Sequence, residues 1–169
     1  MLIVKLTHRV CWGLALLLAL GIWLLMQPMT AWACGGTVLC VDTDATGAAT
    51  GLSWTNAFTN VQDALGTASN SYEIWVAKGV YYPDEGIGYT NDNPTQNFVL
   101  ESGVELYGGF AATETLRVER DWQANKTILS GDITQNDING DGNFIAETTV
   151  DIVGPNADSV VMGGGVDAT

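Results

Sequence analysis

Asp137-Ile138-Asn139-Gly140-Asp141-Gly142-Asn143 sets oxygen-bearing side chains at alternate positions, with Gly142 in the sixth place. Side chains two apart can converge on one hard cation, and the glycine permits the tight reversal. The segment therefore matches the first half of an EF-hand-type calcium loop. In that pattern Asn143 supplies its carbonyl and a bidentate acid stands twelfth. Here the twelfth residue is Thr148, with Glu147 one place early. The expected calcium ligands are Asp137, Asn139, Asp141, Asn143 and Glu147, with Asp151 or water as other ways to complete the shell. No apolar helical pattern precedes the loop, which argues against a true EF-hand. The competing reading is a polar turn, where Asn, Asp and Gly are favoured for their backbone conformations.

Other chemistries are limited by what the chain lacks. Its one histidine, His8, lies in the N-terminal segment set aside below. The rest cannot build a Ser-His-Asp triad, a Cys-His pair or a zinc site with histidine ligands. No glycine loop with its lysine is present to cradle phosphate. Arg117, Arg120 and Lys126 are the candidate bases for a lyase-type proton abstraction, but they cluster around Arg120-Asp121-Trp122, where Arg120 and Asp121 read as a structural ion pair. With 19 acidic residues, chance carboxylate pairs are certain, so pairing carries no signal for hydrolysis. No catalytic or cofactor-binding residue is expected. Among the aromatics, Trp75 reads as core, while Trp54 and Trp122 read as packed beneath the cap and a loop. Tyr82 and Tyr89, flanking Pro83 to Gly88, are the exposed candidates for stacking on sugars.

Residues 1–33 read as a signal peptide. Lys5 and Arg9 precede an apolar stretch from Val10 to Leu25, and Ala31-Trp32-Ala33 is a small-x-small cleavage site. The apolar core is short for a spanning helix of about 20 residues, so no transmembrane anchor is expected in the mature segment. All 19 acids lie after Ala33 against Lys78, Arg117, Arg120 and Lys126, a net charge of 4 − 19 = −15. Such a surface repels nucleic acid and anionic lipid and suits cations, neutral glycans or simple solubility with no specific partner. Cys11 leaves with the signal. Cys34 and Cys40 then stand close together in an exported chain, so a disulfide is expected between them. Lipidation of Cys34 is the alternative, disfavoured by Ala31 and bulky Trp32 in the preceding positions.

These residues need a scaffold. Thr59 followed by Gln62 reads as a capping box opening a short helix, with Val61, Ala64, Leu65 and Ala68 on one face. Ile74 to Ala77 is an apolar run without alternation, which suits a strand buried on both faces in a parallel sheet. Further strand-like blocks are Val38 to Val41, Ile74 to Val80, Phe98 to Leu100, Val104 to Phe110, Thr127 to Ile133, Val150 to Val153 and Ser159 to Met162. Several run into glycine at uneven spacings, as in coils that share one strand position and differ in loop length. An ordinary β-sandwich with glycine turns is the competing architecture.

The segments Ser53-Trp54-Thr55-Asn56-Ala57-Phe58, Ile74-Trp75-Val76-Ala77-Lys78-Gly79-Val80-Tyr81, Leu106-Tyr107-Gly108-Gly109-Phe110, Arg120-Asp121-Trp122 and Ile128-Leu129-Ser130-Gly131-Asp132-Ile133 carry a resemblance, in that order. They resemble the N-terminal cap and first coils of bacterial secreted right-handed parallel β-helix proteins of the pectate-lyase-like superfamily. The resemblance implies an all-β solenoid over residues 34–169, with a helical cap over 37–72 and coils over 73–169. A further coil and a C-terminal cap are expected beyond Thr169, so the chain reads as the N-terminal piece of a longer protein or the product of a truncated gene. It also implies an exported structural or adhesive module at a cell surface, with a polysaccharide or host-surface glycan as partner. The alternative is the N-terminal part of a polysaccharide lyase or glycoside hydrolase whose active groove lies further along.

Overall fold

The computed structural model describes residues 33 to 164, so the proposed signal segment lies outside the described residues except for Ala33. The described elements are β1 (Val38–Val41), α1 (Val61–Thr67), β2 (Glu73–Ala77), β3 (Gly79–Tyr81), β4 (Phe98–Glu101), β5 (Glu105–Phe110), a 3₁₀ turn (Arg117–Glu119), β6 (Thr127–Leu129) and β7 (Val161–Gly164). No described helix is long and apolar enough to cross a membrane.

The apolar run at Ile74 becomes the centre of a parallel sheet in the order β1-β2-β5. Ile74 sits between Leu39 and Leu106 in register, and Trp75 between Cys40 and Tyr107. Ile74 and Val76 are fully buried, which is why the run carries no polar alternation. After Lys78, whose N–H donates to Phe110 O at 2.8 Å, the chain turns into β3. That strand pairs in parallel with β6, Val80 beside Ile128. β4 pairs in parallel with β7, Phe98 beside Val161. Every pairing between these strands is thus parallel, which stacks like upon like. Apolar side chains gain from this; Glu73 beside Glu105 does not. Arg117 answers that repulsion by reaching both carboxylates, at 3.0 and 3.5 Å.

The free edge of β1 is blunted by residues 51–58. Phe58 N–H donates to Cys40 O at 2.9 Å, Asp42 N–H to Phe58 O at 2.8 Å, and Cys40 N–H to Gly51 O at 2.9 Å. Helix α1 follows and lays Val61 and Ala64, with Leu65 and Ala68 at the margin, on a core of Leu39, Val41, Phe58, Ile74, Val76, Tyr81 and Phe98. Its N-cap is Asn60, whose Oδ1 accepts the Asp63 N–H at 2.9 Å, and not Thr59. The expected capping box fails because Gln62 is buried and committed elsewhere. Its Nε2 donates to Pro83 O and, at 3.0 Å, to Asn97 O.

Two strand expectations are corrected. The block from Thr127 ends as a strand at Leu129, since the Asp132 carboxylate accepts the N–H groups of Asn136 and Asp137 and turns the chain. Val150 to Val153 is no strand: Val150 is 78% exposed, and Asp151 folds back to accept from the Thr148 N–H and hydroxyl. Trp75 is core as expected. It stacks on Phe110 at 4.9 Å with an 8° interplanar angle, while Trp54 packs on the same ring at 5.6 Å and donates from Nε1 to Glu114 O.

Candidate functional site

The acidic excursion between β6 and β7 is held by short polar side chains that bond to nearby backbone, as Asp and Asn do in turns. Asp137 Oδ1 accepts the Val153 N–H at 2.6 Å, and both its oxygens receive Asn156 Nδ2. Asp137 therefore ties the start of the excursion to its return. Asn139 Oδ1 and Asp141 Oδ1 both accept the Asn143 N–H, at 3.0 and 3.1 Å. Asn143 Nδ2 donates to Asp141 Oδ2 and to Glu147 Oε1, each at 2.9 Å.

Four of the five residues expected at a calcium site, Asn139, Asp141, Asn143 and Glu147, thus form one knot, with the Asn143 amide between two carboxylates. Asp137 is engaged outside it, by a partner sixteen residues on that no local pattern announces. Among the described residues no three His, Cys, Asp or Glu side chains are grouped to hold a metal. Asp137 and Asn139 do share a cleft of about 310 Å³ with Tyr82, Asp132 and Phe144. The Tyr82 phenol there is raised above its ordinary pKa by burial first, then by the charges of Asp132 and Glu85.

A second cluster lies over β5. Arg117 Nη1 donates to Glu73 Oε1 at 3.0 Å and to Tyr107 OH at 2.8 Å, and its Cζ stands 4.5 Å from the Tyr107 ring centroid. Arg120 Cζ approaches the same ring at 5.2 Å, and its Nη1 donates to Gly108 O. The expected Arg120–Asp121 pair is absent. Asp121 is short and caps its own turn, its Oδ1 accepting the N–H groups of Gln123 and Ala124, while the longer Arg120 reaches back over Tyr107. Arg117, the first candidate base, is thus engaged by Glu73, Glu105 and Tyr107.

Trp122 is the residue that sequence reasoning misplaced. The residue is 65% exposed. Its backbone approaches Gly109: a Cβ placed on that glycine, whose φ is +96°, would lie 2.8 Å from Trp122 Cα. Main chain thus lies against main chain at this point, and the Trp122 side chain is not packed beneath the loop. Arg117, Val118, Arg120 and Trp122 line a shallow cleft of about 360 Å³. Tyr89 is exposed as expected, whereas Tyr82 is half-buried.

Cys34 and Cys40 are joined, with Cα atoms 5.7 Å apart, and both are buried beside Ala57 in a small satellite core. They pin the start of the described chain to β1. Searches against protein-family models, curated proteins and solved structures found no match to this chain.

Proposed function

We propose that this chain is the capped start of an exported right-handed parallel β-helix that contacts glycans at a surface and performs no chemistry itself. The three parallel sheets, the helix over the β1 edge and the paired cysteines support the architectural part. One observation carries the functional part: Trp122 is exposed beside two guanidiniums and the Tyr107 ring, on a chain that is otherwise strongly acidic. An exposed indole gives a flat apolar face for a sugar ring, and flanking arginines offer planar donors to hydroxyl and carboxylate oxygens. The acidic knot at Asn139, Asp141, Asn143 and Glu147 is a loop-ordering calcium site in this reading. Occupation requires the Asn143 amide to leave the two carboxylates.

Affinity electrophoresis of the full chain in gels with a neutral glucan or a uronate polysaccharide tests the contact. Retardation by one of them, at least tenfold weaker in Trp122→Ala (about 1.4 kcal/mol), supports it. Equal retardation of wild type and variant contradicts it. Release of unsaturated uronate from the polysaccharide would favour the lyase reading instead.

A further inference from the structure

Where β2 turns into β3, the chain meets the entry to β6. Gly79 pairs with Thr127 in parallel register, and the Gly79 N–H donates to Lys126 O at 3.0 Å. Lys78 and Lys126, one residue earlier on each side, are therefore neighbours, and they are the two lysines that follow Ala33. Both line one cleft of about 450 Å³. The glutamates that meet in the same way, Glu73 and Glu105, are answered by Arg117. Nothing answers the lysines. Among the described residues the ion pairs are those of Arg117, so none of the described acids pairs with Lys78 or Lys126. Neighbouring like charges are unfavourable, and an anion between them removes that cost.

Asp44 lines the same cleft without pairing to either lysine, so the charge of the lining is 2 − 1 = +1. That balance suits one singly charged oxyanion, on a surface that otherwise repels anions. The rest of the cleft is not ionic. Val80 and Ile128, partners in register, form part of the wall. Phe144 adds to it, 56% exposed and with φ +62°, a left-handed conformation in which a bulky residue is an outlier. An exposed aromatic ring gives a flat apolar face for a sugar ring. Thr43, with its hydroxyl, and the Asp44 carboxylate stand in the same lining as partners for sugar hydroxyls.

We propose that the Lys78–Lys126 cleft binds an acidic sugar unit, a pyranose carrying one carboxylate or one sulfate ester, with the acid between the two ammonium groups and the ring against Phe144. An ammonium is a point charge on a flexible stem, so the pair takes either acid without the planar fork that arginine imposes. The site rests on the reading of the chain as a glycan-contacting module, and it is separate from the cleft beside Trp122.

Chemical-shift titration of the full chain with methyl glucoside, methyl glucuronide, a glucose sulfate ester and inorganic sulfate tests it. One or both acidic sugars should bind more tightly than methyl glucoside and inorganic sulfate. That binding should weaken about fivefold in Lys78→Gln and in Lys126→Gln, the upper end for an exposed ion pair. It should also weaken in Phe144→Ala and persist in Trp122→Ala. This outcome supports the site and names the acid it takes. Acidic and neutral sugars binding alike, or acidic sugars indifferent to both lysine variants, overturns it. Inorganic sulfate bound as tightly as the sulfated sugar, with no effect of Phe144→Ala, leaves an anion trap and also overturns it. Acidic-sugar binding lost in Trp122→Ala moves the sugar to the other cleft and overturns it as well. If no sugar binds but polysaccharide retardation through Trp122 persists, this site alone falls; if retardation is absent too, the glycan reading falls with it. Melting temperatures of the lysine variants, whose side chains are exposed, should match wild type, which separates lost binding from lost fold.

Discussion

Replacing Gly109 by alanine should destabilise this protein strongly, for two separable reasons. The residue has φ +96°, and the new Cβ would meet Trp122 Cα at 2.8 Å and Trp122 N at 2.9 Å. A left-handed conformation costs an L residue about 1–2 kcal/mol. Overpacking adds about 1–3 kcal/mol, and main-chain atoms cannot rotate away as a side chain would. The sum is about 2–5 kcal/mol, or on the order of 10 °C in Tm for a domain of this size.

Two other glycines separate the contributions. Gly88 has φ +86° and nothing within 4 Å of an added Cβ, so Gly88→Ala carries only the conformational part, about 1 kcal/mol after the loop relaxes. Gly66 lies in α1 with open space around it and no positive φ, so Gly66→Ala should stabilise by about 0.5–1 kcal/mol. Thermal unfolding of the four proteins, followed by circular dichroism, gives the order Gly66→Ala, wild type, Gly88→Ala, Gly109→Ala from most to least stable. If Gly109→Ala melts with wild type or with Gly88→Ala, the close approach of Gly109 to the Trp122 main chain is wrong.

The Cys34–Cys40 bond closes a short loop, so the double serine variant should lose about 2 kcal/mol on the chain-entropy estimate; free-thiol titration of the denatured, non-reduced protein should find none, and two thiols per chain would refute the bond. Glu85 and Glu119 should shape the pH dependence in opposite senses. Burial and then Asp84 raise Glu85 above about 4.5, so its contribution is complete below that value and is lost as pH rises through its folded pKa. Backbone N–H groups of Leu116 and Thr115 lower Glu119, so its contribution is complete above about 4.5 and is lost as pH falls through its folded pKa. Urea unfolding in EDTA should show Glu85→Gln flattening the profile above 4.5 and Glu119→Gln flattening it below; a change of pH slope by either variant in the other's window would contradict the assignment. At calcium ten times the dissociation constant, the Asn139–Glu147 loop should gain about 1.4 kcal/mol, and titration calorimetry should lose that component in Asp141→Ala; no such component in wild type would leave the loop a polar turn.

What could be read from the chain was local. Ile74 to Ala77 announced a strand buried on both faces because nothing polar interrupts it, and the spacing of Val61, Ala64, Leu65 and Ala68 announced a helix face. The cap was misplaced by one residue because Thr59 and Asn60 are both competent, and the choice falls to Gln62, whose partners at Pro83 and Asn97 lie far along the sequence. The strand expected at Val150 to Val153 had apolar residues but no parallel partner. The acidic motif reads as a set of cation ligands; in the fold Asn139, Asp141 and Glu147 accept from Asn143, and Asp137 accepts from Val153, a contact made only by the folded return of the loop. Trp122 reads as packed because it belongs to the segment that carries the family resemblance; instead it is exposed, with its main chain close against Gly109.

The central claim is that successive strands stack in parallel, like upon like, with β2 between β1 and β5. Methyl-labelled NMR tests it at Ile74, whose register partners are Leu39 on one side and Leu106 on the other. Parallel stacking predicts nuclear Overhauser contacts from the Ile74 methyl groups to both leucines, with no strong Hα–Hα contacts between β1, β2 and β5, because parallel strands do not bring those protons together. Contacts from Ile74 to only one of the two, or strong Hα–Hα contacts between these strands, would contradict it.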